Sequence, residues 1–118
     1  MNIETFLEHC LAKKGVEETF PFDETTLVMK VMNKMFAICP LEKARFSLSL
    51  KCDPEYAIEL RELHEEIMSG FHLNNKHWNT VDCEGTLSDK LLKSLIDHSY
   101  EMVVKGMTKK DQLILSSL

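Results

Sequence analysis

The sequence predicts a small α+β domain in which helices pack on one face of an antiparallel sheet, as a two-layer structure. The chain has 118 residues, the size of one domain, and its 44% hydrophobic content supports a core without a metal or disulfide. Apolar residues recur at helical spacing near both ends and in the middle, and they alternate in between. This order of elements is typical of the class, so we expect residues 1–118 to form a single domain.

The first third of the chain predicts a helix followed by a hairpin. Apolar side chains lie on one helical stripe in residues 3–11, and Asn2 is a suitable N-cap. Alternation follows in residues 26–32, and a second apolar run covers residues 35–39. We predict a hairpin with Asn33-Lys34 as its turn, although the glycine favoured in such turns is absent.

The clearest strand signal covers residues 45–52, where polar and apolar residues alternate. One face of this strand is apolar and consists of Phe46, Leu48, Leu50 and Cys52. The other face is polar and consists of Arg45, Ser47, Ser49 and Lys51. We expect the apolar face to point toward the helices and the polar face toward solvent.

A second helix is predicted from the sequence Asp53-Pro54-Glu55, which combines an N-cap, a first-turn proline and an early acid. Its expected apolar stripe consists of Tyr56, Leu60, Leu63 and Ile67. We expect Gly70 to end this helix. The polar stretch that follows contains one short possible strand, residues 78–81.

Two helices are predicted to complete the domain. Ser88 is an N-cap for the longer one, and Gly106 follows its last turn. Its core positions are Leu91, Leu92, Leu95, Ile96, Met102 and Val103. Residues 108–111 resemble a capping box with Asp in place of Glu, which predicts a short C-terminal helix.

Cysteine usage and hydropathy exclude several classes of protein. The four cysteines contain no Cys-x-x-Cys pair, so neither a zinc ribbon nor a thioredoxin-type redox pair is indicated. We expect four free thiols in a reducing compartment, the cytoplasm. No apolar run approaches the ~20 residues of a membrane span, and the acidic N-terminus is unlike a secretion signal.

The net charge of −5 argues against a nucleic-acid binder, but the charge is unevenly distributed. Residues 25–52 carry +4, because Glu42 alone opposes five basic residues: Lys30, Lys34, Lys43, Arg45 and Lys51. Residues 53–69 carry −5. A basic sheet face with small hydroxyls suits phosphate contacts. The alternative is that a half-exposed antiparallel sheet is simply polar on its outer side.

Residues 71–81 concentrate side chains that are typical of functional loops. They include His72, Asn74, Asn75, Lys76, His77, Trp78 and Asn79. Trp78 is able to stack on a base, and Lys76 to meet a phosphate. The alternative reading gives Trp78 a packing role and gives the asparagines turn chemistry.

Neither a metal site nor an active site is indicated. His72 and His77 are five residues apart, and no helix or strand register brings them together with nearby Asp82, Cys83 and Glu84. No phosphate-binding glycine loop, nucleophile elbow or Ser-x-x-Lys motif occurs. We therefore expect no cofactor, no metal and no enzymatic activity.

Several segments resemble the MmcQ/YjbR family, in the right order and over nearly the whole chain. These segments are FPFDETTLVMKV at residues 20–31, KMFA at 34–37, LKCDP at 50–54, HLN at 72–74, KHWNTV at 76–81 and DHSYE at 97–101. The resemblance implies a CyaY-like (frataxin-like) α+β fold. It also implies DNA binding through a double-wing arrangement, a function that rests on fold-level analogy.

The resemblance also implies site residues. Lys30, Lys34 and Lys51 match basic positions of the strands, and the family's signature loop is matched by His72, Asn74, Lys76, His77 and Trp78. Asn75 departs from the pattern, because family members typically carry a basic residue there. This departure lowers the charge of the loop.

These observations lead to the hypothesis of a cytoplasmic, monomeric, non-enzymatic domain that binds DNA weakly and in a salt-sensitive way. The expected phosphate contacts are Lys30, Lys34, Arg45, Lys51 and Lys76, with His77, Asn74 and Asn79 positioning the loop or reaching base edges. An alternative is a protein-interaction or small-ligand-binding module that uses residues 71–81. A third reading takes the acidic helices as iron sites, as in frataxin-like proteins.

Overall fold

A computed structural model describes residues 1–70 and 73–118, which form one six-stranded antiparallel sheet and four helices. The helices are α1 (Ile3–Leu11), α2 (Pro54–Leu63), α3 (Asp89–Lys105) and α4 (Lys109–Ser116). The strands are β1 (Val16–Thr19), β2 (Thr26–Val31), β3 (Lys34–Pro40), β4 (Ser47–Lys51), β5 (Ile67–Ser69) and β6 (Trp78–Asp82). Their order in the sheet is β1-β2-β3-β4-β6-β5.

The core lies between one face of the sheet and the helices. Inward-facing strand residues such as Met29, Leu48 and Val81 form one cluster with helix residues such as Phe6 and Ile96. Val28 and Ile38 are also buried, but they point to the other side of the sheet and lie outside this cluster. The predicted α+β class, with helices packed on one face of an antiparallel sheet, is therefore confirmed.

The predicted helix starts are confirmed by their caps. The side chains of Asn2, Asp53, Ser88 and Thr108 each accept a backbone N–H from the residue three positions later. Such a cap pairs one of the N–H groups that a helix start leaves without an intrahelical acceptor. Local sequence therefore determines where all four helices begin.

The predicted hairpin is confirmed, but its turn lies one residue earlier than expected. Met32 and Asn33 have φ of 48° and 70°, and Val31 pairs with Lys34. Two positive φ values are the mark of a type I′ turn, whose twist matches that of the flanking strands. Asn is one of the residues that tolerate a positive φ, whereas a positive φ is uncommon for a residue such as Met32. Lys34 therefore belongs to β3 and not to the turn.

The second helix is shorter than predicted, and this prediction of its end was wrong. It ends at Leu63, which is 68% exposed, because His64 takes an extended backbone conformation. Ile67 then becomes buried in β5, where it pairs with Val81 of β6. Strand pairing thus overrides the helical spacing of these residues. The sequence reading also missed β1, a short polar strand at the sheet edge.

Candidate functional site

The side of the sheet that faces away from the helices, here called the helix-free face, carries the candidate site. One transverse row of this face follows the strand register across the sheet and consists of Thr19, Val28, Ile38, Ser49, Thr80 and Met68. Residues directly opposite each other in an antiparallel pair share a face. The polar side of β4 therefore lies here, as predicted, together with apolar residues from β2, β3 and β5.

One end of the helix-free face is basic. Lys51 pairs with Trp78 across β4 and β6, and both side chains are half-buried. Lys30 lies at the same end, two strands away, at roughly 10 Å by the spacing of strands. The ion pairs among the described residues include neither of these lysines. Glu17 stands opposite Lys30 in the register of β1 and β2, so it offsets part of the charge.

Two of the predicted basic residues do not join this end. Lys34 pairs with Val31, whose side chain faces the helices, so Lys34 lies on the opposite side of the sheet from Lys30. Arg45 lies at the far end of β4 and makes a bidentate contact with Asp82, with nitrogen–oxygen distances of 2.9–3.2 Å. The sequence pattern predicted that Lys34 and Arg45 lie with Lys30 and Lys51. The strand register instead puts Lys34 on the other side of the sheet, and Arg45 pairs with Asp82, which is 37 residues away along the chain.

The Arg45–Asp82 pair consists of two ionised groups. The hydrogen bonds and charge of Asp82 raise the pKa of Arg45 further. The pKa of Asp82 is lowered, first by the backbone N–H of Glu84, which outweighs the effect of partial burial, and then by Arg45. Because Asp82 compensates its charge, Arg45 adds little net positive charge to this face of the sheet.

Residues 73–77 form a turn that Asn74 organises. Its side-chain oxygen accepts the N–H of Lys76 at 2.9 Å, and its backbone oxygen accepts the N–H groups of His77 and Trp78. The backbone oxygen of His77 in turn accepts the N–H of Cys52. This is the Asx-type chemistry of the alternative reading, and it leaves the Lys76 side chain exposed. His72 lies outside the described residues.

The two residues that follow this turn face opposite sides of β6. Trp78 lies on the helix-free face and packs against Gly70, where an added Cβ would come within 2.8 Å of the Trp78 Cβ. Asn79 is 2% exposed and points into the core, where its amide nitrogen donates to the backbone oxygen of Ala57 at 3.4 Å. Asn79 therefore cannot reach a base edge, contrary to the expectation.

A groove occupies the other end of the helix-free face. Its larger compartment has a volume of about 470 Å³ and is lined by Phe22, Asp23, Thr26, Ile38, Pro40, Lys43, Ser47, Ser49, Leu73 and Thr80. A second compartment of about 380 Å³ adjoins it and shares Lys43, Ser47 and Thr80. Small-molecule sites typically have volumes of ~300–1,000 Å³. The sequence reading counted Lys43 in the basic segment but did not assign it to a site.

The DHSYE segment of the family resemblance has a structural role at the helix-covered face. Ser99, which is fully buried on α3, accepts the N–H of Lys51 at 2.8 Å and donates to the backbone oxygen of Phe36. The Nε2 atom of His98 accepts the N–H of Asp53 at 3.1 Å. These two side chains attach α3 to the end of β4 and to the residue that caps α2.

The four cysteines are free and buried, as predicted. Burial raises the pKa of Cys10 and Cys83 to about 12 and that of Cys39 and Cys52 to about 11. A thiol with such a pKa stays protonated at neutral pH and is a weak nucleophile and metal ligand. The cysteines are therefore packing residues.

Metal-ligating clusters and membrane-spanning helices are both absent from the described residues. Within residues 1–70 and 73–118, no three side chains of His, Cys, Asp or Glu come together as a metal site would require. In the same part of the chain, no helix has both the length and the apolar character needed to cross a bilayer.

Comparison with known proteins identifies relatives over the full length of the chain. A family model described as YjbR matches residues 11–102. The uncharacterized protein YjbR of Escherichia coli K12 is 34% identical over 118 residues, which is all of both chains. The uncharacterized protein YbdF of Escherichia coli O157:H7 is 33% identical over 109 residues, covering 92% of this chain and 89% of that protein.

Solved structures show the same fold. A crystal structure from Deinococcus radiodurans, described as a DUF419 domain, has a TM-score of 0.91 and 40% identity, covering 98% of this chain and 88% of that chain. A crystal structure from Pseudomonas syringae has a TM-score of 0.75 and 27% identity, covering 86% and 98%. With the family model and the full-length relatives, these matches establish that the chain belongs to the YjbR family.

Proposed function

We propose that this domain binds nucleic acid weakly, and single strands in preference to duplex, at the basic end of its helix-free face. The observation that carries the proposal is the pairing of Lys51 with Trp78 on that face, with Lys30 beside them. A half-buried tryptophan next to lysines that form no ion pair among the described residues matches how proteins hold a single strand, by stacking on a base and contacting phosphates.

The structure reduces the number of phosphate contacts that the sequence suggested. Arg45 is paired with Asp82, and Lys34 lies on the other side of the sheet. Lys30, Lys51 and Lys76 remain as cations for this end. Each phosphate neutralised on a single strand contributes about −0.7 to the slope of log affinity against log salt. Three contacts therefore predict a slope of about −2 and weak binding at physiological salt.

The test is a titration of a fluorescently labelled 15-nucleotide single strand, and of the matching duplex, at 20 mM salt and at increasing salt. We expect tighter binding to the single strand and a slope near −2. Lys30→Ala with Lys51→Ala is expected to reduce the affinity at least tenfold and flatten the slope. Trp78→Leu is expected to weaken single-strand binding while leaving the slope unchanged.

The matched control is Lys109→Ala with Lys110→Ala, which removes the same charge from exposed positions on α4. If both double variants weaken binding equally, the interaction is general electrostatic attraction and the proposed surface is wrong. Absence of binding at 20 mM salt would also contradict the proposal.

Other features of the hypothesis stay predictions. They are the CyaY-like (frataxin-like) description of the fold, the absence of enzymatic activity, the cytoplasmic location and the monomeric state. The alternative reading of the acidic helices as iron sites has a simple check, because ferrous iron at millimolar concentration should leave the thermal midpoint unchanged if they bind none.

A further inference from the structure

We infer that the groove at the other end of the helix-free face binds a small amphipathic anion, a carboxylate on an aromatic or branched apolar body. This site lies apart from Lys30, Lys51 and Trp78, and it does not depend on nucleic-acid binding. Its walls come from four separate parts of the chain: the β1–β2 loop, the β3–β4 loop, the middle strands, and the turn before β6.

The larger compartment supplies an apolar surface for the body of the ligand. Phe22 is 63% exposed, and it lines the compartment with Ile38, Pro40 and Leu73. An exposed phenylalanine beside a buried isoleucine on a strand leaves apolar surface in contact with water. Covering that surface with a ring or branched chain is favourable.

Hydroxyl groups lie on the floor of the groove. Ser49 and Thr80 are directly opposite each other in β4 and β6, and Ser47 is two residues along the same face. The Oγ1 atom of Thr80 is buried and has no hydrogen-bond partner among the described residues. A buried hydroxyl without a partner is unusual, and it is a ready donor for an oxygen atom of a ligand.

Charge selects an anion as that ligand. Lys43 lines both compartments and makes no ion pair among the described residues. Asp23, the carboxylate of the larger compartment, already accepts the N–H groups of Thr25 and Thr26 at 2.9 and 2.7 Å. These hydrogen bonds lower the pKa of Asp23 and keep it ionised. The anion therefore binds at the junction of the two compartments, near Lys43.

Arg45 and Asp82 line the smaller compartment and form an ion pair without net charge. Rotation of the Thr80 side chain would bring its buried hydroxyl to the anion.

The experiment compares 3-phenylpropanoate with its neutral amide, 3-phenylpropanamide, by two-dimensional NMR on the ¹⁵N-labelled full chain. For a fragment of this size, we expect the carboxylate to bind with a Kd of about 1 mM. The backbone N–H signals of Ser47, Ser49 and Thr80 are expected to change position in the spectrum when the carboxylate is added. The amide compound is expected to bind at least fivefold more weakly.

Variants separate charge from shape. Lys43→Gln is expected to weaken the carboxylate at least fivefold and to leave the amide compound unchanged. Thr80→Val, which has nearly the same shape, is expected to weaken the carboxylate without loss of folding. Lys90→Gln, an exposed lysine on α3, is the matched control and should have no effect.

Three results would overturn the inference: equal binding of the acid and the amide, an unchanged affinity in Lys43→Gln, or shifts confined to residues outside the groove. The outcome is separable from that of the nucleic-acid titration. Lys43→Gln leaves the basic end intact, and the change of Lys30 and Lys51 leaves the groove intact.

Discussion

The two faces of the sheet use the same strands for different purposes. On the helix-covered face the buried hydroxyl of Ser99 bonds to two backbone groups. On the helix-free face the buried hydroxyl of Thr80 has no partner among the described residues. On the helix-covered face the Oδ1 atom of Asn79 is also buried without a partner among the described residues, but there the helices cover it. The helix-free face leaves polar and apolar groups at the edge of a groove. Alternation along a strand thus sends one set of side chains into the core and the other toward the groove in which we propose binding.

The largest test of this contrast uses two adjacent residues of β4. Leu48 is fully buried against the helices, and Ser47 lies on the groove side. Leu48→Ala is expected to lower the free energy of unfolding by about 2–5 kcal/mol, because it removes buried methyl groups and leaves a cavity. Ser47→Ala is expected to change it by less than about 0.5 kcal/mol. Urea denaturation followed by circular dichroism measures both, and similar losses would contradict the contrast.

A second, smaller effect compares the two hydroxyls. Ser99→Ala leaves the N–H of Lys51 and the carbonyl of Phe36 without this partner, which is expected to cost about 1–3 kcal/mol of stability. Thr80→Val removes a hydroxyl that has no hydrogen-bond partner in residues 1–70 and 73–118, so the free protein should be equally stable or more stable. Urea denaturation followed by circular dichroism measures the change in stability of both variants. If Thr80→Val destabilises the protein as much as Ser99→Ala does, the Thr80 hydroxyl has a hydrogen-bond partner in the free protein and the contrast between the two faces is wrong.

The smallest expected effect is a pH-dependent change in stability at the contact of Asp97 with His9 and Lys13. Burial alone would raise the pKa of Asp97, but its hydrogen bonds with Lys13 and with His9 (2.7 Å) outweigh burial and lower it. A lowered pKa contributes stability that is present above the unfolded value of ~4 and is lost as pH falls through the folded value. The stability difference between wild type and Asp97→Asn should therefore be greatest near neutral pH and shrink below pH 4.

Thermal unfolding between pH 7 and pH 3 measures this difference. Glu42→Gln, an exposed acid of the β3–β4 loop that makes no ion pair among the described residues, is a suitable control. A difference that stays constant with pH would show that the α1–α3 contact is not maintained by the charge of Asp97.

Local patterns predicted most of the fold, and long-range pairing explains the errors. Alternation in residues 45–52 and the caps of four helices depend on neighbouring residues, so the sequence reading located them correctly. Ile67 follows Leu63 at helical spacing, yet its pairing with Val81 places it in a strand. Only the partner strand, fourteen residues later, distinguishes the two outcomes.

The candidate site was less predictable for the same reason. The outward direction of Lys51 followed from alternation along β4, and it is observed. The neutralisation of Arg45 by Asp82 and the separation of Lys34 from Lys30 depend on register, which a single sequence does not specify. The groove forms where four separate parts of the chain meet, so only the polar pattern of Ser47 and Ser49 indicated it in the sequence.

The two borders of the sheet limit how copies of this protein can associate. The outermost strands, β1 and β5, contain four and three residues, and β1 carries Glu17 and Glu18 in succession. Another copy adding itself to β1 in an antiparallel arrangement would bring glutamates against glutamates. Like charges on β1 and the short length of β5 discourage the continuous strand addition that leads to fibrils. Strand β1, which the sequence pattern did not predict, therefore disfavours aggregation by strand addition at high protein concentration.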